Sequence, residues 1–172
     1  MHVSDKWKIT DNKQIQEVIK HNAFALLVSP SLDASHLPLI LSDDGEYLIG
    51  HFARSNTHCK SIDGEQVLAV FQAAHDYISP TWYEGKPAVP TWNYAAVHIK
   101  GAIELLGSGQ TLEAVHLLVK KYEPSLLKEN EVMTPEYVDK LSKGIVGFRI
   151  AIEHIDAKAK LDNIVVKATS MA

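Results

Sequence analysis

Two long segments of this 172-residue chain alternate apolar and polar residues on either side of a loop that cannot be helical. "QVLAVFQAAHDYI" places Val67, Ala69, Phe71 and Ala73 on one face. "NYAAVHIKGAIELL" points Val97, Ile99, Ile103 and Leu105 one way and His98, Lys100 and Glu104 the other. Period-two patterning over such lengths predicts strands. Between them runs "SPTWYEGKPAVPTWNY", where Pro80, Gly85, Pro87 and Pro90 exclude a regular helix. Two strands joined by such a loop pair antiparallel, so the chain is built around a long hairpin with one apolar face to cover.

The remaining segments supply the cover. "TDNKQIQEVIKHN" reads as a helix capped by Asp11, with Gln14 three residues on and an apolar stripe at Ile15, Val18 and Ile19. "AFALLVS", "HLPLIL" and "EYLIGHF" read as strands, with Pro38 marking an edge or bulge and "SDDG" a hairpin turn. Asn56 can cap a short helix from Thr57 that Gly64 closes. "TLEAVHLLVKKYE" predicts a helix with a stripe at Leu112, Val115, Leu118, Val119 and Tyr122. A further helix is expected in "TPEYVDKLSKG", with Pro135 in its first turn. "IVGFRIAIEHI" is a closing strand, and residues 162–172 are expected to be a tail or a short edge strand. Short turns between strands favour a mainly antiparallel sheet, and the lack of strict strand-helix alternation argues against a doubly wound α/β fold. The expected fold is mainly β with peripheral helices, an α+β barrel in one domain spanning residues 1–172.

Composition narrows the function classes. A net charge of −4 argues against a general electrostatic grip on nucleic acid. Cys59 is the single cysteine, which rules out an intrachain disulfide and a cysteine-based zinc site. The polar start "MHVSDKWKIT" and the lack of a long apolar run point to a cytoplasmic protein that does not enter a membrane.

Three groups of residues could carry chemistry. In "GHFARSNTHCK" a strand ends and a short helix begins, with Arg54 before it and Lys60 one turn inside. Helix amides with two cations suit a phosphate; a capped surface helix with solvated charges fits the same pattern. In the aromatic loop, Trp82, Tyr83, Trp92 and Tyr94 offer flat faces, while Ser79, Thr81, Thr91 and Asn93 offer directional hydrogen bonds. That combination fits a planar heteroaromatic ligand, or rings that pin the loop or form a subunit contact. His51, His58, His75 and His98 lack metal-ligand spacing and acidic neighbours, so hydrogen-bonding roles are expected and no metal site.

Read together, "SHLPLIL", "GHFARSNTHCK", "VFQAAHDYISPTWY" and "VPTWNYAAVHIKG" occur in an order that resembles the PaiB-like family of FMN-binding negative transcriptional regulators. "GIVGFRIAIEHIDAKAKL" is similar to the closing strand of that family. The resemblance runs from the first helix to about Leu161. It implies a split β-barrel that binds FMN, forming a homodimer with flavin at the subunit interface. The residues it carries over are Arg54, Asn56, His58 and Lys60 from the first motif, and His75, Tyr77, Ser79, Thr91, Trp92 and Asn93 from the later ones. The chain departs from the family at Thr57, commonly Pro, at Cys59, commonly Trp, and in the segment "KLDNIVVKATSMA".

Three function classes follow. A flavin-dependent regulator or sensor comes first, acting without direct DNA binding because no helix-turn-helix is evident. An FMN-dependent oxidoreductase drawing on NADH or NADPH is the second, with no residue marked as acid, base or nucleophile. A flavin-less interaction protein on the same fold is the third.

Overall fold

The computed structural model describes residues 1–83, 85–128 and 132–161. The predicted tail, 162–172, lies outside the described residues. In chain order the elements are α1 (Asn12–His21), β1 (Phe24–Val28), β2 (Ala34–Pro38), β3 (Ile40–Leu41), β4 (Tyr47–Ala53), β5 (Gln66–Ile78), β6 (Thr91–Leu105), α2 (Ser108–Tyr122), α3 (Pro135–Ser142) and β7 (Ile145–Lys160). Single 3-10 turns occur at Asp5–Trp7, Thr57–Lys60, Pro80–Trp82 and Pro124–Lys128. The strands form one sheet in the order β2-β1-β5-β6-β7-β4-β3, with every pairing antiparallel. This is the split-barrel architecture, and the β5–β6 hairpin lies at its centre.

"HLPLIL", expected as one strand, is two. β2 pairs with β1 at one edge of the sheet and β3 pairs with β4 at the other, with Leu39 alone between them. One residue can link the two edges only if the sheet curls until they nearly meet. Pro38, which has no N–H to give a ladder, ends β2 there. Leu39 is fully buried, and its N–H donates to the Ala23 carbonyl at 2.8 Å. Gly50 of β4 lies under this corner. A Cβ at Gly50 would come within 2.8 Å of Leu39 Cδ2 and of Phe148 Cζ.

The interior is filled from the alternating faces. Leu27, Phe52, Phe71, Val97, Ile99 and Phe148 are fully buried in one cluster. α1 adds Ile15 and Ile19 to it, and Asp11 caps this helix by accepting from the Lys13 N–H at 2.9 Å. The stripe expected on α2 is rotated. Its buried residues are Thr111 and Ala114, while Tyr122 is exposed. Close approach to β7 explains the rotation: Thr111 Oγ1 accepts from the Gly147 N–H at 3.0 Å, and a Cβ at Gly147 would sit 2.7 Å from that oxygen. Small residues are needed where helix and strand come this near.

Two irregularities adjust the long strands. β7 carries an extra residue at Glu153, because Lys100 pairs with His154 and Gly101 with Ile152. In β5, Gln72 pairs with Ala96 and His75 with Tyr94, so two residues, 73 and 74, face one. Strict alternation would carry His75 and Tyr77 to the face of Phe71; the bulge moves them to the face of Val70 and Gln72.

Gly50→Ala should therefore destabilise the fold by about 1–3 kcal/mol through overpacking. Urea unfolding checks this, with a lower midpoint and an unchanged slope expected. A midpoint equal to the wild type would show that the corner has room to relax.

Candidate functional site

The predicted residues fall into separate places. In the first motif, Asn56 caps the Thr57–Lys60 turn, and its Oδ1 accepts from the His58 N–H at 3.0 Å. Its Nδ2 donates to Ser35 Oγ on β2 at 3.0 Å, and that hydroxyl lies 2.9 Å from His58 Nδ1. A hydroxyl that accepts from Asn56 has its own proton to donate to Nδ1. The ring proton then sits on Nε2, which is buried and has no partner. His58 is only 3% exposed and tilts against Phe52 at 5.4 Å between ring centroids.

The short helix is one 3-10 turn, and its amides are largely spoken for. The Asn56 side chain takes the His58 N–H, and the Asn56 carbonyl accepts from the Cys59 N–H at 3.3 Å. Both cations of this motif, Arg54 and Lys60, are exposed, as are the hydroxyl residues Ser55 and Thr57. Arg54 turns away from the 3-10 turn. Its Nε and Nη2 each donate at 2.8 Å, to the carbonyls of Lys143 and Ile145. It lines a cavity of about 620 Å3 with Ser108, Thr111, Ser142 and Lys143.

The hairpin end carries the second group. His75, Tyr77, Trp92 and Tyr94 share one face of the sheet through their cross-strand pairing. His75 stacks on Trp92 at 6.0 Å, and Tyr77 meets the same ring edge-on at 6.2 Å. This face forms a shallow cavity of about 420 Å3 that reaches Val70, Ala96 and His98. Its rings are not covered by the chain itself: Trp92 is 49% exposed, and Trp82 in the turn beyond is 51% exposed.

Thr91 and Asn93 point to the opposite face. Thr91 Oγ1 accepts from Lys160 Nζ, and the residue lines a cavity of about 820 Å3 with Lys6, Trp7, Tyr83 and Val89. Asn93 Oδ1 is buried without a partner. Ser79 serves the loop, since its Oγ accepts from the Thr81 N–H at 3.2 Å and lies 2.8 Å from Thr81 Oγ1.

The two motifs are thus far apart within one chain. Ser35 pairs with Leu27, which pairs with Ala69. Tyr77 lies eight residues further along β5, roughly 25 Å at strand rise. The faces also differ, because Ser35 shares the buried face of Leu27 while Trp92 lies on the other side of the sheet.

Ser35 and Trp7 were not singled out from sequence. Ser35 had a signal, since it opens the motif "SHLPLIL". Trp7 had none, because long-range contacts such as the Lys8–Lys158 bridge and the Met1–Asp156 ion pair bring the N-terminal segment beside β7.

Burial lowers the pKa of three histidines. Desolvation alone acts on His51, whose Nδ1 is buried and unpartnered. Desolvation leads at His58, partly opposed by Asp33. At His98 desolvation also leads, joined by the N-terminal amine and opposed by Asp156.

Known proteins resemble this chain in family profile, in sequence and in fold. A family profile described as "Putative FMN-binding domain" matches residues 1–154. The chain is 36% identical over 171 residues to the Protease synthase and sporulation protein PAI 2 of Bacillus subtilis, covering 94% of this chain and 81% of the relative. Its fold is similar to that of the flavocytochrome Anf3 from Azotobacter vinelandii, with a TM-score of 0.72 and 13% identity over 93% of this chain and 73% of that one. It is also similar to the conserved hypothetical protein Rv2991 from Mycobacterium tuberculosis, with a TM-score of 0.65 and 13% identity over 98% of both chains.

The histidines imply a pH dependence. A depressed pKa keeps each ring neutral in the folded chain while the unfolded chain takes up protons below the ordinary value of 6.5. Their stabilising contribution is full above that value and is lost as pH falls through the folded pKa values. Urea midpoints should be level between about pH 7.5 and 8.5 and fall between about pH 6.5 and 5. A level profile across the acidic window would mean that the three rings protonate without cost.

Proposed function

Because the chain belongs to the PaiB-like family of FMN-binding split-barrel proteins and takes FMN as its cofactor, we propose that it is a homodimer that holds FMN between two copies and acts as a flavin-dependent regulator or sensor. The observation that carries this reading is the separation of the two motifs, by level and by face, within one chain. A second copy can bring its hairpin end to the first motif. The surface between the motifs suits such contact. Leu26 opposite Val70 and Val28 opposite Leu68 are half-buried on the outer face, and Phe24 beside them is 68% exposed.

The residues present fit FMN by chemistry. The half-bare rings of His75, Trp92 and Tyr77 suit the flat face of a flavin. Asn93, whose Oδ1 is buried and unpartnered, lies on the opposite face of the sheet and cannot reach a ring stacked on these side chains. With the His58 and Cys59 amides engaged, the phosphate falls mainly to the exposed side chains of Arg54 and Lys60. Asn56, Ser35 and His58 hold that turn against β2 and so fix where the cations start. Bound FMN supplies electron or hydride transfer, and the protein supplies orientation and exclusion of water. A net charge of −4 favours a regulator that reads flavin over one that grips DNA.

Arg54→Ala should weaken FMN by about ten- to a hundred-fold, the scale of one charge-assisted hydrogen bond, and leave riboflavin almost unchanged. Flavin fluorescence titrations with the two ligands test it. Equal losses would place Arg54 at the ring or in the fold, and no loss would remove it from the site.

Sedimentation at micromolar concentration should give a dimer. Trp92→Ala should weaken both the dimer and flavin retention, because one wall serves both. A monomeric wild type that still retains FMN would overturn the shared site.

A further inference from the structure

Arg54 joins the proposed phosphate end to α3. Its backbone N–H donates to the Gly144 carbonyl at 2.8 Å, while Nε and Nη2 hold the carbonyls of Lys143 and Ile145. Lys143 caps α3, Gly144 follows it and Ile145 opens β7, so the three bonds hold the junction where the helix passes into the strand. The rest of α3 is lightly held. Tyr137 and Leu141 are 55% and 54% exposed, and the side-chain bonds of Thr134, Ser142 and Lys143 stay within the segment. Among the described residues, Arg54 provides the side-chain hydrogen bonds that reach this turn from outside it.

We infer that Arg54 couples phosphate occupancy to the docking of α3. The inference rests on the reading that this residue holds the FMN phosphate. A guanidinium binds phosphate most strongly through a pair of parallel N–H groups, and the Nε–Nη2 pair is the one now engaged with Lys143 and Ile145. The same donors cannot serve both. Phosphate binding exchanges two of the three ties for charge-assisted bonds, leaving Arg54 only its backbone bond to Gly144 at the junction, beside the packing of α3 on α2 and β7. By reciprocity, restraint of α3 lowers the affinity for FMN and leaves that for riboflavin unchanged. The sensed ligand thereby controls the exposure and mobility of one surface helix, which gives a flavin sensor an output that requires no movement of the barrel.

Hydrogen exchange of the full chain, read on peptides covering residues 132–146, tests this coupling. Flavin retention is measured on the same samples by absorbance. Saturating FMN should raise exchange in this segment on the order of ten-fold, as expected for the loss of two hydrogen bonds, and riboflavin should not. In Arg54→Ala the segment should exchange rapidly before any ligand is added, with no further change on adding FMN. Arg54→Lys, which keeps the charge without the paired donors, should also exchange rapidly while retaining FMN better than Arg54→Ala. Retained FMN with unchanged exchange, or an equal response to riboflavin, overturns the coupling alone. Failure of the wild type to bind either flavin overturns the coupling and the flavin site together.

Discussion

The corner at Pro38 and Leu39 is the constraint on which the rest of the structure depends. Two strands separated by one residue occupy opposite edges of a seven-stranded sheet. The sheet must curl to bring those edges together, and the curl encloses the core. Gly50 makes the crossing possible because its missing side chain leaves space for Leu39 and Phe148. The same closure sets β2 beside the turn that follows β4. Ser35 can then reach Asn56 and His58, which ties the first motif to the barrel at the place where its strands converge.

Legibility in the sequence followed the range of the forces involved. The long hairpin, the cap of α1 and the turn at "SDDG" depend on neighbouring residues, and their positions agree with the patterning. The split of "HLPLIL" depends on contact between the two ends of the sheet, which no local pattern encodes. The rotation of α2 has the same origin, since Thr111 faces inward only because Gly147 lies against it. Within the candidate site, the residue types were legible from the aromatic loop and the cationic turn. Their distribution over two faces was not, because a bulge between Gln72 and His75 decides it.

Burial separates the roles of residues that adjoin in sequence. Arg54 and Lys60 are exposed and cationic, suited to a ligand, whereas His58 and Cys59 between them are packed inside. The Cys59 thiol donates to the Asn56 carbonyl at 3.0 Å, and the residue belongs to the core cluster. A small side chain in this position keeps the turn pressed onto the barrel, and the turn's rigidity determines how far the two cations can move. The departure from the family at Cys59 therefore bears first on packing beneath the motif and only through it on the ligand.

The aromatic loop extends this division to the whole molecule. Large rings half bare to solvent cost stability in an isolated chain, since apolar surface contributes roughly 25 cal/mol for each Å2 removed from water. The bulge in β5 turns His75 and Tyr77 out of the barrel and onto the face of Trp92, where His75 stacks on that ring and Tyr77 meets it edge-on instead of filling the core. On that face they lie beside the half-buried Val70 and the buried Ala96, with room above for a flat ligand or a second chain. The described residues leave these rings half bare on one open face, which suits the flavin contact proposed for it.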